Sequence, residues 1–252
     1  MSKNSKIRLD ELISKRGLAS SLDEARAFII ARNVKVDGET LTTPSALVDK
    51  GVDVCLTNVN KYVSRGGLKL EAALQNFDID VIGKKCLDIG SSTGGFSDCL
   101  LKHGVRSVSC VDVNYGQLAW TIRNDDRVSV FERTNIKAAD PEKLGAPFDL
   151  IVIDVSFIGL ASLIPTIKKF TYAGISNGER KTELISLVKP QFEAKREEVA
   201  GGVVMDKRVR IRTIEEVKSA LIYEGFFVKG VIESPLKGAS KHNTEYLIYS
   251  II

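Results

Sequence analysis

The sequence predicts an α/β protein: an open, doubly wound and mainly parallel sheet, preceded by a small basic α+β module. Three observations carry that prediction. From about residue 86 onward, short strand-like runs alternate with helical stretches, the pattern of a sheet covered by helices on both faces. The first run passes directly into a glycine loop, Cys86-Leu-Asp-Ile-Gly-Ser-Ser-Thr-Gly-Gly-Phe-Ser-Asp-Cys-Leu100, the shape of a strand turning into a helix. The charge is front-loaded, because residues 1 to 36 hold eight basic side chains against four acidic ones, matching the net +4 of all 252 residues.

Composition bounds the rest. Apolar residues make up 44% of the chain, enough for a sizeable core, and no run approaches the roughly 18 uninterrupted apolar residues of a membrane span. The first residues, Met-Ser-Lys-Asn-Ser-Lys, lack the apolar stretch of a signal peptide, so a soluble cytoplasmic protein with no membrane partner is expected. Cys55, Cys86, Cys99 and Cys110 form no Cys-x-x-Cys pair and only two histidines accompany them, which argues against a zinc site; buried reduced thiols are expected at Cys86 and Cys110.

Taken in order, Leu9, Leu12 and Ile13 follow helical spacing up to Gly17. Ser21 and Glu24 form a capping-box pattern ahead of a second helix with Ala25, Phe28 and Ile29 on its apolar face. Val34-Lys-Val-Asp-Gly-Glu then predicts a tight hairpin, with Asp37-Gly38 at its turn. Arg8, Lys15, Arg16, Arg26, Arg32 and Lys35 give this module a basic surface suited to phosphate, although a solvated face would look the same. Later strands are predicted near 86–89, 108–112, 128–131, 149–154, 183–188, 226–233 and 245–251.

The glycine loop selects among ligands. A triphosphate loop needs lysine after its last glycine, where Phe96 stands, and a dinucleotide loop would have glycine at Ser92. What remains is Asp88-x-Gly90-Ser91-Ser92-x-Gly94-Gly95-Phe96, with Asp112 ending the next strand 22 residues after Gly90, placed to take both hydroxyls of a ribose. An acid at 88 can meet an amino group of the ligand. Asp154 ends the fourth predicted strand, and Asn135 after the third is a weaker candidate for the base of such a nucleoside.

These residues carry resemblances. Arg8-Leu-Asp-Glu-Leu, Ser21-Leu-Asp-Glu-Ala-Arg-Ala-Phe-Ile and Asn33-Val-Lys-Val-Asp-Gly resemble the RNA-binding module of ribosomal protein S-four. The glycine loop resembles the S-adenosylmethionine loop of class I methyltransferases, implying that cofactor and a Rossmann-like sheet. Tyr62-Val-Ser-Arg65-Gly-Gly-Leu-Lys-Leu, Phe148-Asp-Leu-Ile-Val-Ile-Asp-Val-Ser-Phe, Leu187-Val-Lys-Pro-Gln-Phe-Glu, Gly201-Gly-Val-Val and Thr244-Glu-Tyr-Leu further resemble the TlyA or haemolysin A family, whose catalytic domain is FtsJ-like. The resemblance implies domains at 1–58 and 66–252 with a linker at 59–65, ribosomal RNA in ribosomal subunits as partner, Arg65 among the RNA contacts, and 2′-O-methylation of cytidine. It places a Lys-Asp-Lys-Glu tetrad on Lys69, Asp154, Lys189 and Glu245.

The chemistry suits those residue types. A ribose hydroxyl is a poor nucleophile at neutral pH, so an amine has to orient it and accept or stabilise its proton; Lys189 is the expected amine. Acting as a free base near neutrality would require lowering its pKa from about 10.4 by roughly three units, so a charged Lys189 that stabilises the developing alkoxide stays open. No metal is expected. Lys195, Arg196, Lys207, Arg208 and Arg210 could line an RNA path, Trp120 is expected in packing, and His103 and His242 on the surface. Two rival functions remain: a cytolysin, as the family name suggests, and a non-catalytic ribosome-assembly factor.

Overall fold

In the computed structural model, which describes residues 6–19, 21–57, 61–175, 180–238 and 243–252, the chain divides into two units, 1–60 and 61–252. The first opens with β1 (Lys6–Arg8) and α1 (Leu9–Lys15), whose Leu9, Leu12 and Ile13 are buried as their spacing requires. α2 (Leu22–Ile30) starts where Ser21 Oγ accepts the Glu24 N–H, and it buries Ala25 and Ile29 against the same core. Asp37 and Gly38 take φ of 48° and 87°, both left-handed, and so turn β2 (Val34–Val36) back into β3 (Glu39–Thr40). β4 (Leu47–Asp49) pairs with β1, and β5 (Val54–Leu56) with the free side of β2. The β1–β4 pair is absent from the sequence reading because three-residue strands are too short to show a period of two.

The second unit begins with α3 (Gly66–Asn76) and then alternates as predicted. β6 (Lys85–Ile89) leads into α4 (Gly95–Lys102); β7 (Ser107–Val111), β8 (Val128–Phe131), β9 (Leu150–Ile153), β10 (Glu183–Val188), β11 (Phe227–Glu233) and β12 (Tyr246–Ile251) follow. They form one seven-stranded sheet in the order β11-β12-β10-β9-β6-β7-β8, with β12 antiparallel to both its neighbours. Successive residues point to opposite faces, so Cys86 joins Leu70, Leu100 and Cys110 in one core while Leu87 joins Ile151, Val217 and Leu221 in the other. The long helix Lys207–Tyr223 belongs to the second layer. Cys86, Cys99 and Cys110 are buried.

Trp120 departs from its predicted packing role: it is 76% exposed. It opens a helix of a single turn, Trp120–Arg123, whose one buried residue is Ile122. Among the described residues no helix is long and apolar enough to cross a membrane.

Candidate active site

Parallel strands deliver their following loops to one edge, and the strand order reverses between β6 and β9. Gly90 makes that crossing possible. Its φ is +83°, and a Cβ there would overlap the Asp154 carbonyl, so only glycine lets the loop after β6 press against the end of β9. Beside it lies a cavity of about 520 Å³ whose lining includes Gly90, Ser92, Asp112, Asn135, Asp154 and Ser156. Asp112 accepts the Ser92 N–H at Oδ2 and the Asn114 N–H at Oδ1, both at 2.8 Å, which fixes its carboxylate while each oxygen keeps a lone pair. Asn135 Oδ1 accepts the Lys137 N–H at 3.0 Å and caps a short turn. A glycine turn, a fixed carboxylate after the second parallel strand and the apolar walls of Ile89, Val111, Ile136 and Leu163 fit a nucleoside cofactor.

The remainder of the glycine motif does not reach this cavity. Asp88, expected to meet a ligand's amino group, has no exposed surface and receives the Ser97 hydroxyl at 2.6 Å. Burial, reinforced by Asp154 and Asp112, pushes its carboxyl up to about 7. Ser91, Gly94, Gly95 and Phe96 are buried as well. They serve packing: Ser91 O accepts the Gly94 N–H at 2.7 Å, Gly94 turns at φ +92°, and a Cβ on Gly95 would overlap Ser64 Oγ. Asp98 accepts the Val63 N–H at 2.8 Å, tying the 62–67 segment to α4.

Lysine–carboxylate pairs stand at the same edge. Lys69 Nζ lies 2.5 Å from Glu245 Oε2, and both residues are buried. Lys189 Nζ lies 2.7 Å from Asp154 Oδ1, an ion pair without hydrogen-bond alignment, and donates to Ser156 Oγ at 2.8 Å. The ladder explains the convergence: Val188 faces Tyr246 across β10 and β12, so one further step sets Lys189 opposite Glu245. Ser186 beside Ile153 likewise carries Asp154 to that edge.

Three supporting residues carried no recognisable signal of their own. Ser156 holds Lys189, and Glu193 accepts the Leu160 N–H at 2.5 Å. Asn243 accepts the Val204 N–H at 3.2 Å and donates to Gly202 O at 2.8 Å, stapling the Gly201–Gly202 loop beside the start of β12.

The predicted RNA contacts separate into two kinds. Arg8 and Arg26 both pair with Asp10, at 2.8 and 3.1 Å, and the Arg8 guanidinium helps hold that unexposed carboxyl at about 2. Arg16 donates to Val52 O and Lys50 O at 2.8 and 2.7 Å, and Lys15 pairs with Glu11 at 3.6 Å. Arg32 and Arg65 are exposed, and Lys35 is half-buried on β2. In the larger unit Lys195, Arg196, Lys207 and Arg208 are exposed, whereas Arg210 donates to Val204 O and Met205 O at 2.9 and 2.8 Å. His103 is half-buried at the end of α4, and His242 lies outside the described residues.

A seven-stranded sheet of this order, with the glycine turn after its first parallel strand and the fixed acid after the second, has the architecture of the class I methyltransferases. The FtsJ-like methyltransferase family matches residues 62–250 and the S4 domain residues 7–54. The chain belongs to the FtsJ-like methyltransferases of the TlyA or hemolysin A family. It is 41% identical to the 16S/23S rRNA (cytidine-2'-O)-methyltransferase TlyA of Mycobacterium tuberculosis, over 96% of this chain and 88% of that protein. It is 40% identical to Hemolysin A of Brachyspira hyodysenteriae, over 98% of this chain and all of that one. A solved "Putative hemolysin from Streptococcus thermophilus" superposes with a TM-score of 0.71 at 36% identity, covering 98% of this chain and 89% of its own.

Proposed function

We propose that the protein transfers a methyl group from S-adenosylmethionine to the 2′-oxygen of a cytidine in ribosomal RNA. The observation that carries the reading is the Lys189–Asp154–Ser156 cluster at the rim of a nucleoside-sized cavity. S-adenosylmethionine would bring a methyl group on positively charged sulfur. Asp112 would hold its ribose, the Gly90 turn its amino-acid end and Asn135 its adenine side. Asp154 and Ser156 fix the Lys189 amine, which orients the acceptor hydroxyl, and the hydroxyl proton passes into the Lys189–Asp154 pair as the oxygen becomes nucleophilic. Lys69 and Glu245 form the second pair and keep the opposite side of the acceptor in place. The small basic unit would grip structured RNA, with Arg32 and Lys35 as its phosphate contacts and Arg65 as a further one in the larger unit.

The test is transfer of tritiated methyl from S-adenosylmethionine to ribosomal subunits lacking the mark, joined to mass spectrometry of ribosomal RNA from cells with and without the gene. A new 2′-O-methylcytidine supports the reading. No incorporation by protein that binds the cofactor would sink it and leave the assembly-factor reading, and lysis of red cells by a tetrad variant would favour the cytolysin.

A further inference from the structure

Two segments leave the sheet side by side and stay in step. β9 and β10 run parallel with Glu183 beside Leu150 and Ser186 beside Ile153, a constant offset of 33 residues. Where the backbone ladder stops, side chains keep that offset: Lys189 Nζ donates to Ser156 Oγ at 2.8 Å, and Glu193 Oε1 accepts the Leu160 N–H at 2.5 Å. Between those rungs the rings of Phe157 and Phe192 lie 5.4 Å apart. Phe157 has φ of 66°, a left-handed backbone uncommon for so large a side chain, and that side chain is 91% exposed. On the far side of that residue the Glu193 carboxylate takes the N–H groups at the start of the short 160–162 turn.

We propose that Glu193 is a positioning residue: its carboxylate clamps the 155–160 loop to the segment bearing Lys189 and so fixes where the amine and the Ser156 hydroxyl stand. The role rests on the reading of Lys189 as the group that handles the acceptor hydroxyl. Gly159 offers a way to strain the clamp from its other side. Its φ of −69° suits any residue, but a Cβ there would sit 3.1 Å from Glu193 Oε2 and 3.3 Å from Phe192 O. Alanine at 159 therefore pushes on the clamp without straining its own backbone.

Full-length Glu193→Ala, Glu193→Gln and Gly159→Ala variants test the proposal through two measurements. Hydrogen exchange followed by mass spectrometry should show residues 154–162 exchanging about tenfold faster in Glu193→Ala. Glu193→Gln should exchange like wild type, since its amide oxygen still accepts the N–H. In single turnover at saturating S-adenosylmethionine, Glu193→Ala should lose about 10- to 100-fold in methyl-transfer rate. Glutamine should restore most of that rate, and Gly159→Ala should fall between. Unchanged exchange in Glu193→Ala, or glutamine no better than alanine in rate at saturating cofactor, would overturn the clamp. Wild-type protein that methylates no ribosomal RNA would defeat the proposed function, and the exchange measurement would then decide the clamp alone.

Discussion

Asp88 carries a carboxyl group with no exposed surface, directly beneath the glycine turn. Its ordinary value of 3.8 rises to about 7 on folding. The native state therefore holds its proton more tightly than the unfolded one, and the sign follows. Below about pH 3.8 the group costs nothing; as pH rises toward 7 the fold loses stability, and above 7 the full cost is present. Asp88→Asn should then be more stable than wild type at pH 8, by up to about 4 kcal/mol, with the difference shrinking toward pH 4. Urea unfolding at both pH values checks this, and a difference independent of pH would mean the carboxyl ionises freely. Lys189→Ala should lower methyl transfer by about 10²–10⁴-fold while S-adenosylmethionine still binds, as read by single-turnover kinetics beside calorimetry. Spacing alone located Asp112, because the end of a parallel strand is a fixed point. It could not locate the Asp88 side chain, since the period of a strand chooses a face and says nothing of what seals that face.

Among elements, the glycine turn makes the sharpest demand. Gly90→Ala must take a left-handed φ, costing about 1–3 kcal/mol from backbone strain alone, and must also push the Asp154 carbonyl away. A lowered melting temperature together with lost cofactor binding by calorimetry is expected; retained binding would mean the turn yields without disturbing β9. The strands of the large sheet were legible because each is a short apolar run between turn signals, and the Asp37-Gly38 hairpin because two left-handed positions demand such residues. The short β1–β4 pair, the one-turn helix at Trp120 and the 155–160 loop were not. The loop is held by contacts distant in sequence, from Lys189 to Ser156 and from Glu193 to Leu160.

At the scale of the molecule, phosphate affinity should follow the cations that, among the described residues, pair with neither a carboxylate nor a backbone carbonyl. Replacing Arg32 and Lys35 together by alanine should reduce the slope of log affinity for ribosomal RNA against log salt by roughly 1.5, measured by filter binding across salt concentrations. Arg16→Ala should mainly lower the melting temperature, because that guanidinium already bridges two carbonyl groups. The tetrad is the least local feature. Lys69 and Glu245 are separated by 176 positions, and only a resemblance, not any spacing, could join them before the sheet order was known. That order sets a schedule for biosynthesis. β12, the last strand of the sheet to be translated, enters between β10 and β11 and delivers Glu245 to Lys69 as it does so. Chains emerge N-terminal end first, so the cofactor turn can form on a nascent protein while the acceptor side is still incomplete. The proposed acceptor side is therefore completed only when β12 has been laid into the sheet.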